Sequence, residues 1–436
     1  MRRVCGSFYS GGPYPVSMRT AYRCRAYPDE AQQQVLARTF GCVRLVWNRT
    51  LAERHQRYQA EGKGTSYAES DRALTVMKKD PAFAFLSEVS SVPLQQALRH
   101  QQRAFGAFFA RRACYPRFKS RRGRQSATYT RSAFSMRGGV LRLAKIDAAL
   151  RYVWTWPDID PADLDPTSVT VVKDRAGRWF VSFHVDISDP APLPATGEHV
   201  GVDLGLTDLA VFSTGEKIPH PRDWERHERR LKRYQRRLAR CQKGSANRKK
   251  AGLKVARAHA GVADARRDFL HKLSTRVIRD NDVVAIEDLN VSGMVSNRHL
   301  ARAISCTGWA EFRSMLEYKA QRNGRMVVAV CRWYPSSKTC SACGHLLAAL
   351  ALGTRTWQCP SCGTRHDRDI NAAKNILAAG LAAGAGDGAD ACGGDARRTG
   401  ATRALSPTKQ ESLGASPGIP VLRVGRMSMI ESSQIE

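Results

Sequence analysis

Residues 19–27 alternate between apolar and polar side chains, a pattern that predicts a β-strand ending before Pro28. Asp29 can then cap a helix that begins at Glu30, because the apolar residues that follow recur at helical spacing. Helical periodicity continues to about residue 112. The chain is therefore predicted to pass from a strand into a long helical segment.

Alternating patterns return after this helical segment. Residues 168–172 and 179–185 each resemble a strand, and the Arg-Ala-Gly turn between them predicts a β-hairpin. A Pro-rich stretch at 189–195 ends this part of the chain. The pattern predicts a small β-domain, formed by residues 19–28 and 113–195, that is interrupted by the helices.

The second half of the chain alternates short apolar strands with helices, which predicts an α/β domain. Its predicted elements are strands at 199–205 and 209–212, two helices within 222–280, a strand at 283–286, a helix at 308–323, a strand at 326–330 and a helix at 369–382. This succession is typical of an RNase H-like fold, in which side chains at the ends of neighbouring strands would converge.

Three carboxylates occupy distinctive places in this succession. Asp203 ends a strand between Gly201 and Gly205, which would let a ligand approach the backbone; Glu287 follows a strand, and Asp369 opens the last helix. A buried carboxylate must be paired or bound to a cation, and oxygen ligands suit Mg²⁺ or Mn²⁺. Two such ions would support phosphodiester hydrolysis. Taken singly, Asp203 could equally be a turn residue and Asp369 a helix N-cap.

Four of the twelve cysteines are clustered, as Cys340-x2-Cys343 and Cys359-x2-Cys362, with fifteen residues between the two pairs. Two such pairs supply four thiolates for a tetrahedral Zn²⁺, which would be structural because no coordination position stays open. The alternative is two disulfides. A reducing cytoplasm disfavours it, and we expect that compartment because the first 30 residues contain no apolar segment of signal-peptide length.

The chain is strongly basic, with 70 Lys and Arg against 39 Asp and Glu and a formal net charge of +31. Residues 222–280 contribute 20 basic and 6 acidic residues, which favours phosphate contact there. No apolar run approaches the length of a membrane-spanning helix, which argues against a membrane partner. Charge therefore favours nucleic acid as the partner, with a ribosome-type structural protein as the alternative.

Four motifs follow one another along the chain, at Gly201–Gly205, Ile286–Asn290, Ser336–Gly344 and Asp367–Ile376. In sequence and in order they resemble the motifs of the TnpB family, the OrfB-type proteins of bacterial insertion sequences, which are related to type V CRISPR effectors. The first predicted helix also resembles that family's N-terminal helical segment. The resemblance covers about residues 19–382.

The resemblance implies an RNA-guided DNA endonuclease encoded by a transposable element. Asp203, Glu287 and Asp369 would be its catalytic, Mg²⁺-binding residues, with Asp367 as a rival for the third place. Expected partners are a guide RNA derived from the transposon end and a double-stranded DNA target beside a short flanking motif. Neither a membrane nor a small-molecule ligand is expected, and the expected location is the bacterial cytoplasm, at the nucleoid.

The resemblance also implies an α/β multidomain architecture. The expected parts are a β-barrel-like wedge domain at 19–28 and 113–195, a helical recognition lobe at 29–112, a RuvC-like (RNase H-like) nuclease domain at 196–335 and 366–383 and an inserted zinc ribbon at 336–365. The resemblance does not extend to the two ends of the chain, where composition alone predicts a disordered extension at 1–18 and a disordered tail at 384–436. Three other functions stay open: a strand-joining transposase, a nuclease-inactive, nucleic-acid-binding regulator, and a resolvase acting on branched DNA. The resolvase would leave the zinc ribbon and the helical lobe without a role. The intact acidic residues argue against the regulator, whereas they do not separate cutting from strand joining.

Overall fold

The computed structural model describes residues 17–188, 191–221, 223–351 and 353–385. The predicted N-terminal extension lies outside the described residues up to residue 16, and the predicted tail lies outside them from residue 386 onward. Residues 17 and 18 begin the first strand and residues 384 and 385 end the last helix, so the prediction of disorder is wrong at these four residues. Within the described ranges, no helix combines the length and the apolar character that crossing a membrane would require.

Helices and strands follow one another along the described chain in a fixed order. They are β1 (Ser17–Ala26), α1 (Glu30–Glu61), α2 (Tyr67–Lys79), a 3-10 helix (Pro81–Ser87), α3 (Ser91–Phe109), β2 (Gln125–Thr130), a 3-10 turn (Arg131–Ala133), β3 (Phe134–Arg137), β4 (Val140–Leu143), β5 (Tyr152–Val153), a 3-10 turn (Pro161–Asp163), β6 (Ser168–Lys173), β7 (Trp179–Ser188), β8 (His199–Asp203), β9 (Asp208–Phe212), β10 (Lys217–Pro219), α4 (Asp223–Arg240), α5 (Ala246–Asp280), β11 (Val283–Glu287), α6 (Val291–Met294), α7 (Ala301–Thr307), α8 (Trp309–Asn323), β12 (Met326–Val330), β13 (Thr356–Gln358), β14 (Arg365–Asp367) and α9 (Arg368–Ala385).

The first sheet is antiparallel and has the strand order β2-β6-β7-β1-β5. Its strands β6 and β7 form the predicted hairpin, with Gly177 in the turn at a φ of 78°. Helix α1 begins where the sequence predicts, because Asp29 accepts a hydrogen bond from the backbone N–H of Gln32 and the Gln32 side chain accepts one from Asp29 in return. Apolar residues of α1 and α3 are buried in the same cluster as those of the sheet. The helices and the sheet therefore share one hydrophobic core.

The second sheet has the strand order β10-β9-β8-β11-β12. β8, β11 and β12 run parallel, while β9 and β10 are antiparallel to their neighbours. Val284 and Ile286 pack with α5 and α8 on one face, and Ala285 between them packs with Ile376 of α9 on the other. Helices therefore cover both faces of this sheet, and the carboxyl ends of three parallel strands meet at one edge.

A small cysteine-rich unit separates β12 from α9 along the chain. It contains the two-stranded sheet β13-β14, and its buried cluster is formed by Cys340, Trp357 and Cys359. β14 ends at Asp367 and α9 begins at the next residue. This unit therefore leads directly into the helix that covers the second sheet.

Candidate active site and metal centre

Two of the candidate carboxylates lie side by side at the ends of neighbouring strands. β8 and β11 are parallel, and Val202 pairs with Ile286. Asp203 and Glu287 are the next residue in each strand, so both stand at the carboxyl edge of the sheet. The strand-end positions predicted from the sequence are thus adjacent in space.

Helix α9 brings the third carboxylate to this edge because two glycines let it lie directly against the sheet. A Cβ atom on Gly201 would lie 2.0 Å from the carbonyl oxygen of Ala373, and one on Gly380 would lie 2.5 Å from the Cβ of Ala285. The expectation that Gly201 admits a ligand is therefore wrong, since α9 of the same chain fills that space. Asp369 lies in the first turn of α9.

The three carboxylates interact electrostatically. Burial raises the pKa of Asp203 to about 8, and the nearby charges of Glu287 and Asp369 add to this rise against the opposing charge of Arg368. Burial also raises the pKa of Glu287, although a hydrogen bond from Ser336 opposes the shift. Negative charge is therefore crowded at this edge, a situation that a bound cation would relieve.

Asp367 and Asp369 are engaged in different ways. One oxygen of Asp367 accepts hydrogen bonds from the backbone N–H groups of Asp369 and Ile370, each at 3.1 Å. These bonds make Asp367 the N-cap of α9. Its other oxygen accepts a 2.7 Å hydrogen bond from Nζ of Lys217. Asp369 lies inside the first turn and accepts a longer hydrogen bond, of 3.3 Å, from Nη1 of Arg355. The capping role that the sequence allowed for Asp369 therefore belongs to Asp367.

Sequence reasoning missed a hydrogen-bond network that links Glu287 to α9. Oγ of Ser336 donates to Oε1 of Glu287 at 2.9 Å. Nδ2 of Asn371 and Nδ2 of Asn375 donate to the carbonyl of Thr339 at 2.7 and 2.6 Å, and Asn375 also donates to the carbonyl of Ser336 at 2.8 Å. Ser336 and both asparagines are buried. Two asparagines four residues apart on an apolar helix face were the signal that could have indicated this hydrogen-bond network.

The four clustered cysteines have the geometry of a metal site. Their sulfur atoms all lie within 4.8 Å of one another, with Cys340 and Cys362 at 3.7 Å and Cys343 and Cys359 at 3.6 Å. These separations are far longer than the roughly 2.05 Å of a disulfide. They match the roughly 3.8 Å edge of a tetrahedron with Zn–S distances of about 2.3 Å. The alternative of two disulfides therefore does not fit this geometry.

The surroundings of the cysteines also suit a bound metal. Backbone N–H groups of Gly344 and Gly363 each donate to the carbonyl of the first cysteine of their pair, and both glycines have a positive φ. Nε2 of His366 lies 3.0 Å from the sulfur of Cys340, and the His366 ring packs against Trp357. His366 precedes the α9 cap, so the cysteine site is tied to the start of that helix.

Helices α4 and α5 present the basic surface that the sequence predicts. Both helices lie within 222–280, as expected, and many of their cationic side chains are exposed. Between residues 226 and 257, in the two helices and the turn that joins them, the exposed cations are Arg226, Arg229, Arg230, Lys232, Arg233, Arg236, Arg237, Arg240, Lys243, Lys249, Lys250, Lys254 and Arg257. We name these residues the α4–α5 basic surface. Its charge suits a polyanion.

Residues 182–298 match the OrfB_IS605 family, whose description is "Probable transposase". Residues 309–376 match the TNB domain of Cas12f1-like proteins, and residues 18–63 match a helix-turn-helix domain of the same OrfB family. The structure describes every residue of 18–63 and forms there β1 and one continuous helix, α1. The helix-turn-helix description therefore does not apply to this segment.

Two curated relatives are similar to nearly the whole chain. A Streptomyces pristinaespiralis protein named as an RNA-guided DNA endonuclease is 53% identical, over 93% of this chain and 99% of its own length. Escherichia coli K12 InsQ, named likewise, is 30% identical, over 83% of this chain and 92% of its own length. Among solved structures, a Cas12f1–sgRNA–target DNA complex has a similar fold, with a TM-score of 0.53 at 12% identity, covering 83% of this chain and 99% of that one.

Proposed function

The chain belongs to the TnpB (OrfB) family, and we propose from that premise that it is an RNA-guided, divalent-metal-dependent DNA endonuclease. The observation that carries the proposal is the meeting of Asp203, Glu287 and Asp369 at the carboxyl edge of the second sheet. The two curated relatives both bear the name of RNA-guided DNA endonucleases, and they cover nearly the whole chain.

We assign the second sheet and its helices to a RuvC-like nuclease domain of the RNase H-like class. Support comes from the strand order, in which an antiparallel β10-β9-β8 half continues into the parallel strands β11 and β12. Further support comes from the position of the cysteine unit, which precedes the helix that carries Asp369. The wedge domain, the recognition lobe and the domain boundaries remain predictions from the sequence.

Asp203, Glu287 and Asp369 would hold Mg²⁺ or Mn²⁺ through carboxylate oxygens. A bound divalent ion would stabilise the charge that develops on a phosphodiester during hydrolysis. The protein contributes fixed positions. Ser336 orients Glu287 through its hydroxyl, and the cap formed by Asp367 fixes the first turn of α9. Asp369 rather than Asp367 is assigned as the third ligand, because both oxygens of Asp367 already have partners.

Cys340, Cys343, Cys359 and Cys362 would hold a structural Zn²⁺. The sulfur set leaves no open coordination position, so the ion would act through folding rather than chemistry. Its effect would reach the carboxylates through the 336–341 segment, which the α9 asparagines hold, and through β14, which leads into the α9 cap. Loss of zinc is therefore expected to disturb the placement of both Glu287 and Asp369.

We assign a guide RNA and a double-stranded DNA target as the partners. The α4–α5 basic surface and the net charge of +31 support a long polyanion bound through its phosphates. Base pairing to a guide would then supply sequence choice, as in other RNA-guided nucleases. The transposon-end origin of the RNA, the flanking motif, and a location at the bacterial nucleoid remain predictions.

The proposal is tested with the reconstituted protein–RNA complex on plasmid DNA that contains the guide-matched target. Asp203→Asn, Glu287→Gln and Asp369→Asn are each expected to abolish cleavage while RNA binding persists. Asp367→Asn is the matched control, because Asn also caps helices, and it should still cut. Cleavage by the Glu287→Gln complex at the wild-type rate would remove that carboxylate from the site.

The same assay separates the proposal from its alternatives. A transposase would join the cut strand to a second DNA, so covalently joined products would be recovered. A nuclease-inactive regulator would bind the target with its guide and leave it intact. Free cut ends that require the guide support the endonuclease.

A further inference from the structure

Trp333 is exposed to a degree that is unusual for so large an apolar side chain. Its exposed fraction is 84%, against 68% for Phe109 and Val76, the next most exposed large apolar side chains in the described ranges. Folding gains little from an indole in this position, because burial is what makes such a ring stabilising. A binding role would give the side chain a reason to face the solvent.

Trp333 lies close to the candidate active site. The loop 331–335 leaves β12 at Val330, which pairs with Glu287. It returns at Ser336, whose hydroxyl donates to the Glu287 carboxylate at 2.9 Å. Both ends of this loop are therefore attached at Glu287. Since consecutive residues span at most about 3.5 Å each, the Cα of Trp333 stays within roughly 10 Å of that of Val330.

The backbone that carries Trp333 is held on both sides. The Tyr334 side chain packs against the cluster of Ala285, Val330 and Ile376. The backbone N–H of Tyr334 donates to the carbonyl of Cys331 at 3.0 Å. On the other side, Arg332 forms an ion pair with Asp288. The indole thus projects from an anchored loop, and less conformational entropy is lost when a ligand covers it.

Cations at the candidate active site suit an anionic ligand. Lys217 and Arg355 contact Asp367 and Asp369 at the same edge of the sheet, beside the carboxylates. A DNA strand entering this edge would bring its phosphates to the cations and its bases to the indole. A base in a duplex is already stacked on both faces, so the base that an indole can cover is one that is unpaired.

We propose that Trp333 is a stacking platform for an unpaired nucleobase of the DNA strand that enters the Asp203–Glu287–Asp369 site. This inference rests on the proposed function, because it requires that DNA is cut at that site. Stacking at this position would hold the strand next to the carboxylates without reading its sequence, since every base presents a flat face. Trp333 would therefore contribute to cleavage at any target that the guide selects.

The test uses guide-loaded complexes of wild-type protein, Trp333→Ala, Trp333→Leu and Trp333→Phe. Single-turnover cleavage is measured at enzyme concentrations below and above saturation. Base stacking on an aromatic side chain corresponds to roughly 5- to 150-fold in binding affinity. At enzyme concentrations below saturation, the cleavage rate of Trp333→Ala is therefore expected to be lower than that of the wild type by about tenfold or more. Trp333→Leu, which keeps apolar bulk without a ring face, should be impaired as well. Trp333→Phe should recover most of the rate.

Substrates with a single abasic nucleotide, moved stepwise past the cut position, locate the stacked base. One abasic position should slow the wild-type complex by a factor similar to that of Trp333→Ala, and the same lesion should not slow Trp333→Ala further. Because the side chain is 84% exposed, the melting temperatures of the variants should equal that of the wild type.

Three results would overturn the inference. In the first, Trp333→Ala cuts every substrate at the wild-type rate while Glu287→Gln is inactive, which leaves the proposed function intact. In the second, Trp333→Leu cuts like the wild type, which indicates apolar packing against a protein. In the third, Trp333→Ala loads less guide RNA, which places the contact on the guide. Cleavage by Glu287→Gln would instead refute the proposed function itself.

Discussion

Gly201→Ala tests whether α9 lies directly on the sheet. The added Cβ would stand 2.0 Å from the carbonyl oxygen of Ala373 and 2.8 Å from the backbone nitrogen of Leu377. An ordinary C···O contact is about 3.3 Å or longer, so the helix and the strand must separate by more than about 1 Å. Ala373 and Leu377 are four residues apart in α9, so the methyl group would press on one hydrogen bond of the helix. Overpacking of about 1–3 kcal/mol and a weakened hydrogen bond of about 1 kcal/mol together predict a loss of about 2–4 kcal/mol in unfolding free energy.

The same displacement should reach the carboxylates, because Asp369 lies one turn before Ala373 in α9. A misplacement of about 1 Å can slow catalysis about a hundredfold, so guide-dependent cleavage should fall by a similar factor even in the fraction that stays folded. The assays are denaturant unfolding and single-turnover cleavage at a temperature where the variant is folded.

Gly252→Ala in α5 is the matched control, since no atom lies within 4 Å of the Cβ it would add. It should leave stability unchanged or raise it by about 0.4–1 kcal/mol. If Gly201→Ala has the same unfolding free energy as the wild type, the close contact between α9 and the sheet is refuted. A destabilised Gly201→Ala with full activity would refute the claim that α9 positions Asp369.

Three further predictions concern the carboxylates and the metals. Ser336→Ala removes the donor to Glu287 and should raise the Mg²⁺ concentration for half-maximal cleavage about tenfold, and an unchanged Mg²⁺ titration would count against the network. Wild-type protein should contain about one Zn per chain by elemental analysis and Cys359→Ser should contain less and melt earlier, whereas active protein without zinc would contradict the cysteine site. In metal-free protein, the pKa of Asp203 is raised to about 8, so between about pH 4 and pH 8 the folded state keeps a proton that the unfolded state has released. The contribution of Asp203 to the free energy of unfolding should therefore fall with rising pH by up to about 1.4 kcal/mol per pH unit. Denaturant unfolding of chelator-treated protein over a series of pH values measures this slope, and the contribution should be absent in Asp203→Asn.

Much of the second sheet could be predicted from the sequence because buried parallel strands are short apolar runs. The strand predicted at 199–205 is confirmed as β8, which ends two residues earlier at Asp203, and the strand predicted at 283–286 is confirmed as β11, which includes Glu287 as its last residue. The helix start at Asp29 is confirmed by its capping hydrogen bonds. The short strands β2–β5 and β10 were missed, since such strands form through pairing with neighbours rather than through local preference.

The contacts that position the site could not be predicted, because they join residues distant in the chain. Gly201 is flanked by apolar residues in a strand, and nothing local indicates that a helix about 170 residues later will rest on it. The roles of Asp367 and Asp369 were left open for the same reason. Lys217, which pairs with Asp367, lies 150 residues away in the chain.

Guide exchange is the most direct test of the central claim. Complexes are assembled with two RNAs that differ only in their guide segment, and each is given a plasmid that contains both matching targets. The account predicts that the cut moves from one target to the other with the guide, that RNA-free protein leaves both intact, and that Glu287→Gln abolishes both cuts. Cutting by RNA-free protein, or cutting at a position that ignores the guide, would contradict it.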